Sequence, residues 1–257
     1  MTTTAHATEE INASRRSLYT EELLATVARW DGIYAEPDTE SRKKKEGIQI
    51  FKSRLLEVML TKAPPILPWL WAVPVISGCV YYGAAFAHIQ MMPLVLLFLL
   101  GVFIWTFTEY GLHRWMYHYT PKNAQLRMFF FLTHGYHHEF PNDKMRLVAP
   151  PLMFTTLGIF FGVLHRLLFG PVTWAPVFGG FLAGYLAYDT VHYYSHHARP
   201  KSAVGKFLRA YHLRHHFEDA EVRYGISSPL WDLILGTYRG LGKEENREAL
   251  KGAGKTH

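Results

Sequence analysis

Cysteine is almost missing from this chain: Cys79 is the only one in 257 residues. An intramolecular disulfide is thereby excluded, and a thiolate metal cluster has too few ligands to form. No glycine-rich phosphate loop occurs, no internal repeat and no low-complexity tract. A secretory leader is not expected, because residues 1–40 are polar and carry Glu9, Glu10, Glu21, Glu22 and Asp31. Lysine and arginine are missing from two short stretches, 88–92 and 170–171, although the chain carries 27 of them and a net charge of +6.

Those two stretches separate four apolar runs at about 66–87, 93–112, 147–169 and 172–191. Each is close to the ~20 residues that cross a bilayer as a helix. The short connections make them two helical hairpins. Basic residues gather in 1–62, 114–146 and 199–243. The positive-inside rule then puts both termini and the 113–146 connection on the cytosolic face. With such runs, the positive charge suits an anionic membrane surface better than nucleic acid, and no nucleic-acid partner is expected. The expected fold is all-α: a four-transmembrane-helix bundle under a cytosolic helical cap.

Several local readings accompany this layout. Gly158-xxx-Gly162 and Gly180-xxx-Gly184 have small-residue spacing, expected to pack the third run against the fourth. His165 and Arg166 are expected to snorkel to headgroups, and His88 to be solvated. Thr20 to Trp30 reads as a short helix with Leu23, Leu24 and Val27 on one side. Ser41-Arg-Lys-Lys-Lys leads into Ile48, Phe51, Leu55 and Met59, the spacing of a basic amphipathic helix lying on the membrane or packed on the cap. The expected division is 1–65, a cytosolic segment, and 66–257, the membrane domain with its cap.

Histidine is abundant where cysteine is scarce. Ten of fifteen histidines form four clusters: His113 and His118; His134, His137 and His138; His192 and His196; His212, His215 and His216. Neutral imidazole is the commonest protein metal ligand and serves iron, zinc and copper. Ten exceed one four-coordinate ion and suit two metals with four or five nitrogens each, roughly 3.5–6 Å apart (two-metal sites typically lie near the lower value). Spacings of three and four put each triplet on one helical face. His113 and His118, five apart, lie about 140° apart on an ideal helix. They require separate metals, a helix end, or a distortion such as a π-bulge near Trp115–Tyr117. Glu109 and Asp189, on matching faces of the apolar runs, are candidates to accept a ligand's ring N–H. His197 points elsewhere than His196, and His6 and His257 lie near the termini; none is expected to be a ligand.

At these clusters the chain resembles the fatty-acid hydroxylase/sterol desaturase superfamily, and within it the fatty acid 2-hydroxylases. Glu109-Tyr-Gly-Leu-His-Arg-Trp-Met-Tyr-His118 looks like that branch's first box, with four residues between the histidines. His134-Gly-Tyr-His137-His138, Arg146-Leu-Val-Ala-Pro-Pro151, Gly184-Tyr-Leu-Ala-Tyr-Asp-Thr-Val-His-Tyr-Tyr194, Tyr211-His-Leu-Arg-His-His-Phe217 and Tyr224-Gly-Ile-Ser227 follow in the same order. The resemblance implies that the ten clustered histidines hold two iron ions, which zinc can replace in isolated protein. It implies dioxygen as co-substrate and hydroxylation at C2 of a long fatty acyl chain, free, coenzyme A-linked or in ceramide. Many relatives carry an N-terminal cytochrome b5 domain. Residues 1–65 are too short for one, so electrons are expected from a separate donor, cytochrome b5 with its reductase or an equivalent. Location in the endoplasmic reticulum of a eukaryote, or the inner membrane of a bacterium, follows from the same resemblance. Alternatives are hydroxylation or desaturation of a sterol or carotenoid and, more remotely, divalent-metal transport.

Overall fold

The computed structural model describes residues 18–30, 32 and 46–242. His6, His257 and the basic run 41–45 lie outside them. The helices, in chain order, are α1 (Glu21–Arg29), α2 (Arg54–Thr61), α3 (Leu67–Tyr81), α4 (Met91–Gly111), α5 (Ala124–Phe130), α6 (Tyr136–Glu139), α7 (Pro151–His197), α8 (Ala203–Phe217) and α9 (Leu230–Leu235). π-helical turns extend α3 over Tyr82–Phe86 and α4 over Leu112–Tyr117, and another, Phe131–Gly135, joins α5 to α6. Among the described residues the one β-type pairing is an isolated antiparallel bridge between Tyr19 and Phe51.

Three helical stretches are long and apolar enough to cross a membrane: Leu67–Phe86, Met91–Tyr117 and Pro151–His197. The last has 47 residues, roughly 70 Å if straight, more than twice the ~30 Å hydrocarbon core. It is not straight. Gly170 takes φ 71°, in the left-handed region that glycine enters without strain, and Pro171 follows. The two arms fold back on each other: Phe161 meets Phe181 and His165 meets Phe178, ring centroids 4.9 and 5.4 Å apart. The apolar runs read as segments three and four are therefore the arms of a hairpin, with the connection at the expected place. Trp71 faces Phe154 at one end of the bundle, while the Tyr82 hydroxyl donates to the Pro171 carbonyl at the other.

Two local expectations are corrected here. The small-residue approach joins α4 to the second arm of α7, not the third run to the fourth. A Cβ on Gly180 would overlap the Phe98 carbonyl, and one on Gly101 that of Val177, whereas Gly158 faces open space. Backbones meet there because lipid tails give helices no hydrophobic reason to associate, and close contact substitutes for it. His165 does not snorkel. It is buried, its Nδ1 donates to the Phe161 carbonyl at 2.7 Å, and its ring stacks on Phe169 and meets Phe181 at a tilt. Arg166 and His88 are exposed.

The cap packs on the Leu67, His113 and Pro151 end. Thr20 caps α1, its Oγ1 accepting from Leu23 N–H at 3.3 Å, and α1 buries Leu23 and Val27. The amphipathic helix expected from Ile48 onward starts only at Arg54. Upstream the chain is extended, because the Glu57 carboxylate accepts from the N–H groups of Ile50 (3.0 Å) and Phe51 (2.8 Å) while Phe51 bridges Tyr19. Ile48, Ile50 and Phe51 thus share a core with Leu23, Trp30, Phe131 and Phe140. Arg146 ties this segment to the cap: it pairs with Glu57 and Asp143 and donates to the Tyr136 hydroxyl at 3.0 Å.

Candidate metal centre

The apolar helices run on past the residues that read as membrane-spanning, and the extensions carry histidines. α4 continues as the π-turn Leu112–Tyr117, where His118 N–H donates to the His113 carbonyl at 3.3 Å. This i→i+5 closure spends five residues on one turn. It turns His113 and His118 to the same side, which an α-helix would not, and of the three outcomes the spacing left open it is the local distortion, at Leu112–Tyr117. The second arm of α7 continues through His192 and His196.

The ten clustered histidines come together as two sets of five: His113, His118, His134, His138 and His215, and His137, His192, His196, His212 and His216. Within each set the ligand-capable atoms all lie within 4.8 Å of one another. Each triplet divides between the sets. The i, i+4 members stay together, His134 with His138 and His212 with His216, while the i+3 members His137 and His215 cross to the other set. One face of a helix thus serves both sets. His138 and His216 stack across the boundary, centroids 4.1 Å apart. His197 and His165 join neither set.

Facing Nε2 atoms are 3.1 Å apart for His113 and His134, His134 and His138, and His118 and His215. The other set gives 2.9 Å for His137 and His192, 2.8 Å for His196 and His212, and 3.1 Å for His212 and His216. Two nitrogens about 2.0–2.1 Å from one ion and at right angles to each other lie about 2.9 Å apart. Five converging nitrogens cannot all be satisfied by ring N–H groups, so a shared cation fits each set. The count of five suits a centre of more than four ligands. Outside the apolar helices, burial, reinforced by neighbouring rings, holds His118, His134, His137, His138, His212, His215 and His216 well below the ordinary histidine pKa. Neutral rings are the form that binds metal.

The Glu109 carboxylate meets no histidine directly. Its Oε1 accepts from the N–H groups of Ile226 (2.7 Å) and Ser227 (2.8 Å), and its Oε2 from the Ser227 hydroxyl. It holds the loop whose Tyr224 carbonyl accepts from His113 Nδ1 at 2.5 Å. Asp189 accepts from the Tyr185 hydroxyl at 3.3 Å. Sequence reading missed Asp232, fully buried in α9, which accepts from the N–H groups of Tyr224 (2.9 Å) and Gly225 (2.8 Å). Its one signal was the neighbouring Tyr224-Gly-Ile-Ser227 motif.

A cavity of about 230 Å³ runs from the apolar helices to the histidines, bordered by Trp105, Phe181, Tyr117, His134, His137 and His192. Tyr117 stacks on His134, centroids 5.1 Å apart. Asp189 and Arg146 also line it; Tyr119 and Tyr193 do not.

The family model for fatty acid hydroxylases matches residues 98–237. A dihydroceramide fatty acyl 2-hydroxylase of Arabidopsis thaliana is 37% identical over 193 residues, 75% of this chain and 81% of that protein. A ceramide very long chain fatty acid hydroxylase of Saccharomyces cerevisiae is 35% identical over 85% of this chain and 57% of its own length. The solved structure of full-length scs7p, with only its hydroxylase domain visible, superposes with a TM-score of 0.67 at 36% identity, covering 73% of this chain and 70% of that one.

Proposed function

The chain belongs to the fatty acid hydroxylase family, and from that premise we propose that it is a membrane-bound fatty acid 2-hydroxylase acting on long acyl chains within or destined for ceramide. The observation that carries this reading is the pair of five-histidine sets opening onto a cavity that enters the apolar bundle. Two iron ions, when bound by the ten histidines, would supply dioxygen activation and the oxidation of an unreactive C–H bond.

The protein's own part is orientation and exclusion of water. C2 adjoins the acyl carbonyl, so the polar head belongs at the histidine end and the tail among Trp105, Phe161 and Phe181. Tyr117 and Tyr188, both on the lining, close the space beside His134 and His192. The Tyr224 carbonyl holds a proton on His113 Nδ1, which leaves Nε2 free to ligate. Asp189 lines the head region and, through Tyr185, is positioned rather than ligating.

The bundle crosses the membrane four times in this reading, with residues 1–65 and the histidine cap on the cytosolic side, of the endoplasmic reticulum in a eukaryote or the inner membrane in a bacterium. Electrons come from a separate carrier such as cytochrome b5 with its reductase. The test is lipid mass spectrometry of a host that lacks its own 2-hydroxylase and supplies an electron donor. The parent chain is expected to yield 2-hydroxy acyl sphingolipids and His137→Ala none. Unchanged acyl hydroxylation with folded parent protein would refute the assignment and point to sterols or carotenoids.

A further inference from the structure

We infer that the two histidine sets are unequal, the first (His113, His118, His134, His138, His215) holding its metal tightly and the second (His137, His192, His196, His212, His216) holding its metal loosely. This rests on the reading that the ten histidines hold two metals.

The difference lies behind the ligands. In the first set, His113 Nδ1 donates to the Tyr224 carbonyl at 2.5 Å and His215 Nδ1 to the Val222 carbonyl at 2.7 Å. A ring whose Nδ1–H is tied to an acceptor is fixed in tautomer and rotation and is a stronger base at Nε2. Such partners change metal affinity by roughly 10–100-fold.

Both carbonyls belong to one loop, and that loop is held from several sides. Glu109 takes the N–H groups of Ile226 and Ser227. Asp232 takes those of Tyr224 and Gly225, and its Oδ1 also accepts from the Thr237 hydroxyl at 2.7 Å. Between the two carbonyls Arg223 sits at φ 62°, a conformation rare for a residue with a Cβ. It is held there by its N–H bond to the Thr237 carbonyl at 3.0 Å and by its Nε bond to Arg239 at 3.2 Å. Two buried carboxylates and a constrained turn thus keep the acceptors of His113 and His215 in place. Glu109 and Asp232 are positioning residues for the first metal.

In the second set the contrast lies at His192 and His212. Nδ1 of His192 and of His212 meets no hydrogen-bond partner among the described residues. His196 is only half-buried, while the first set is buried throughout.

The test uses the full chain purified in detergent and loaded with iron or cobalt, with metal per chain counted by mass spectrometry against rising chelator. Two metals per chain are expected, lost in two steps, the second needing at least ~10-fold more chelator. Loss of both in a single step overturns the inference. His137→Ala is expected to keep one metal at a chelator concentration that strips His118→Ala, with circular dichroism showing both folded. Equal or reversed resistance overturns it. Should either variant fail to fold, the wild-type titration still decides, joined by Asp232→Asn. This milder change is expected to keep two metals and to move the resistant step toward the labile one. An unmoved step refutes the positioning role. Fewer than two metals in the loaded wild type would sink the ten-ligand reading and this inference with it, whereas two metals lost together sink only the inference.

Discussion

In the bundle, backbones touch where side chains are missing. In the cap, polar side chains occupy the interior that apolar ones fill elsewhere. Gly180 lets the second arm of α7 reach the Phe98 carbonyl, and Gly101 does the same against Val177. The cap instead gathers ten clustered histidines, nine of them buried, together with Glu57, Asp143 and Asp232. The contrast follows from the solvent. Against lipid, apolar surface gains nothing by burial, so contact and fit decide. Against water, a buried polar group is tolerated when partners or a bound cation satisfy it. The two halves of the molecule should therefore fail under different insults.

The sharpest way to break the bundle alone is Gly180→Leu. Its side chain has to displace the Phe98 backbone, and little or no monodisperse protein is expected in size-exclusion chromatography from detergent. Arg146→Leu strikes the cap alone by leaving Glu57 and Asp143 buried without their counter-charge. Breaking a buried pair costs about 3–5 kcal/mol. A lower melting temperature and faster proteolysis within residues 46–61 should report it, with the bundle left intact.

A change of pH sharpens the comparison further. Burial lowers the pKa of the cap histidines outside the apolar helices from the ordinary 6.5. In metal-free protein these rings stay neutral when folded, while the unfolded chain takes up protons once pH falls below about 6.5. Their contribution is complete above that pH and is lost as pH falls. The melting temperature of chelated protein should drop from pH 7.5 to pH 5.5 and hold steady from 7.5 to 8.5; a flat profile would contradict the burial of the cap histidines. The smallest effect is expected of Gly158→Ala. A Cβ there meets no atom within 4 Å, and stability should stay within about 0.5 kcal/mol. A large loss would mean that Gly158 packs against something after all.

The same contrast explains what could be read in advance. The apolar runs, the short connection at 170–171 and a distortion as one way to bring His113 and His118 together were legible, because each follows from chain length or helical period. The partition of the triplets was not. Period alone puts His134, His137 and His138 on one face, but a face one turn wide can line two neighbouring centres. Helix–helix contacts were also hidden: Gly180 and Gly184 lie four apart whether they meet α4 or the first arm of α7. His165 read as a headgroup anchor because a carbonyl one turn back that accepts from its ring and a set of phenylalanines around it cannot be inferred from position near a segment's end. Glu109 stood out as an acid in an apolar run, yet its partner, the Ile226–Ser227 backbone, lies 117 residues on. The extended stretch before α2 was hidden for the same reason, since Ile48, Phe51 and Leu55 fit a helix until Tyr19 and Glu57 compete for the backbone.

The division of each triplet also imposes an order in time. The first set needs His113 and His215, and the second needs His137 and His216. The first is incomplete until residue 215 has been synthesised and the second until residue 216, by which point every long apolar helix has been made. During translation the chain cannot assemble one centre early and add the other later. Until the last cluster arrives, the earlier histidines wait as partial sites, open to whichever ion reaches them first, and the availability of metal at that moment becomes part of how the protein matures.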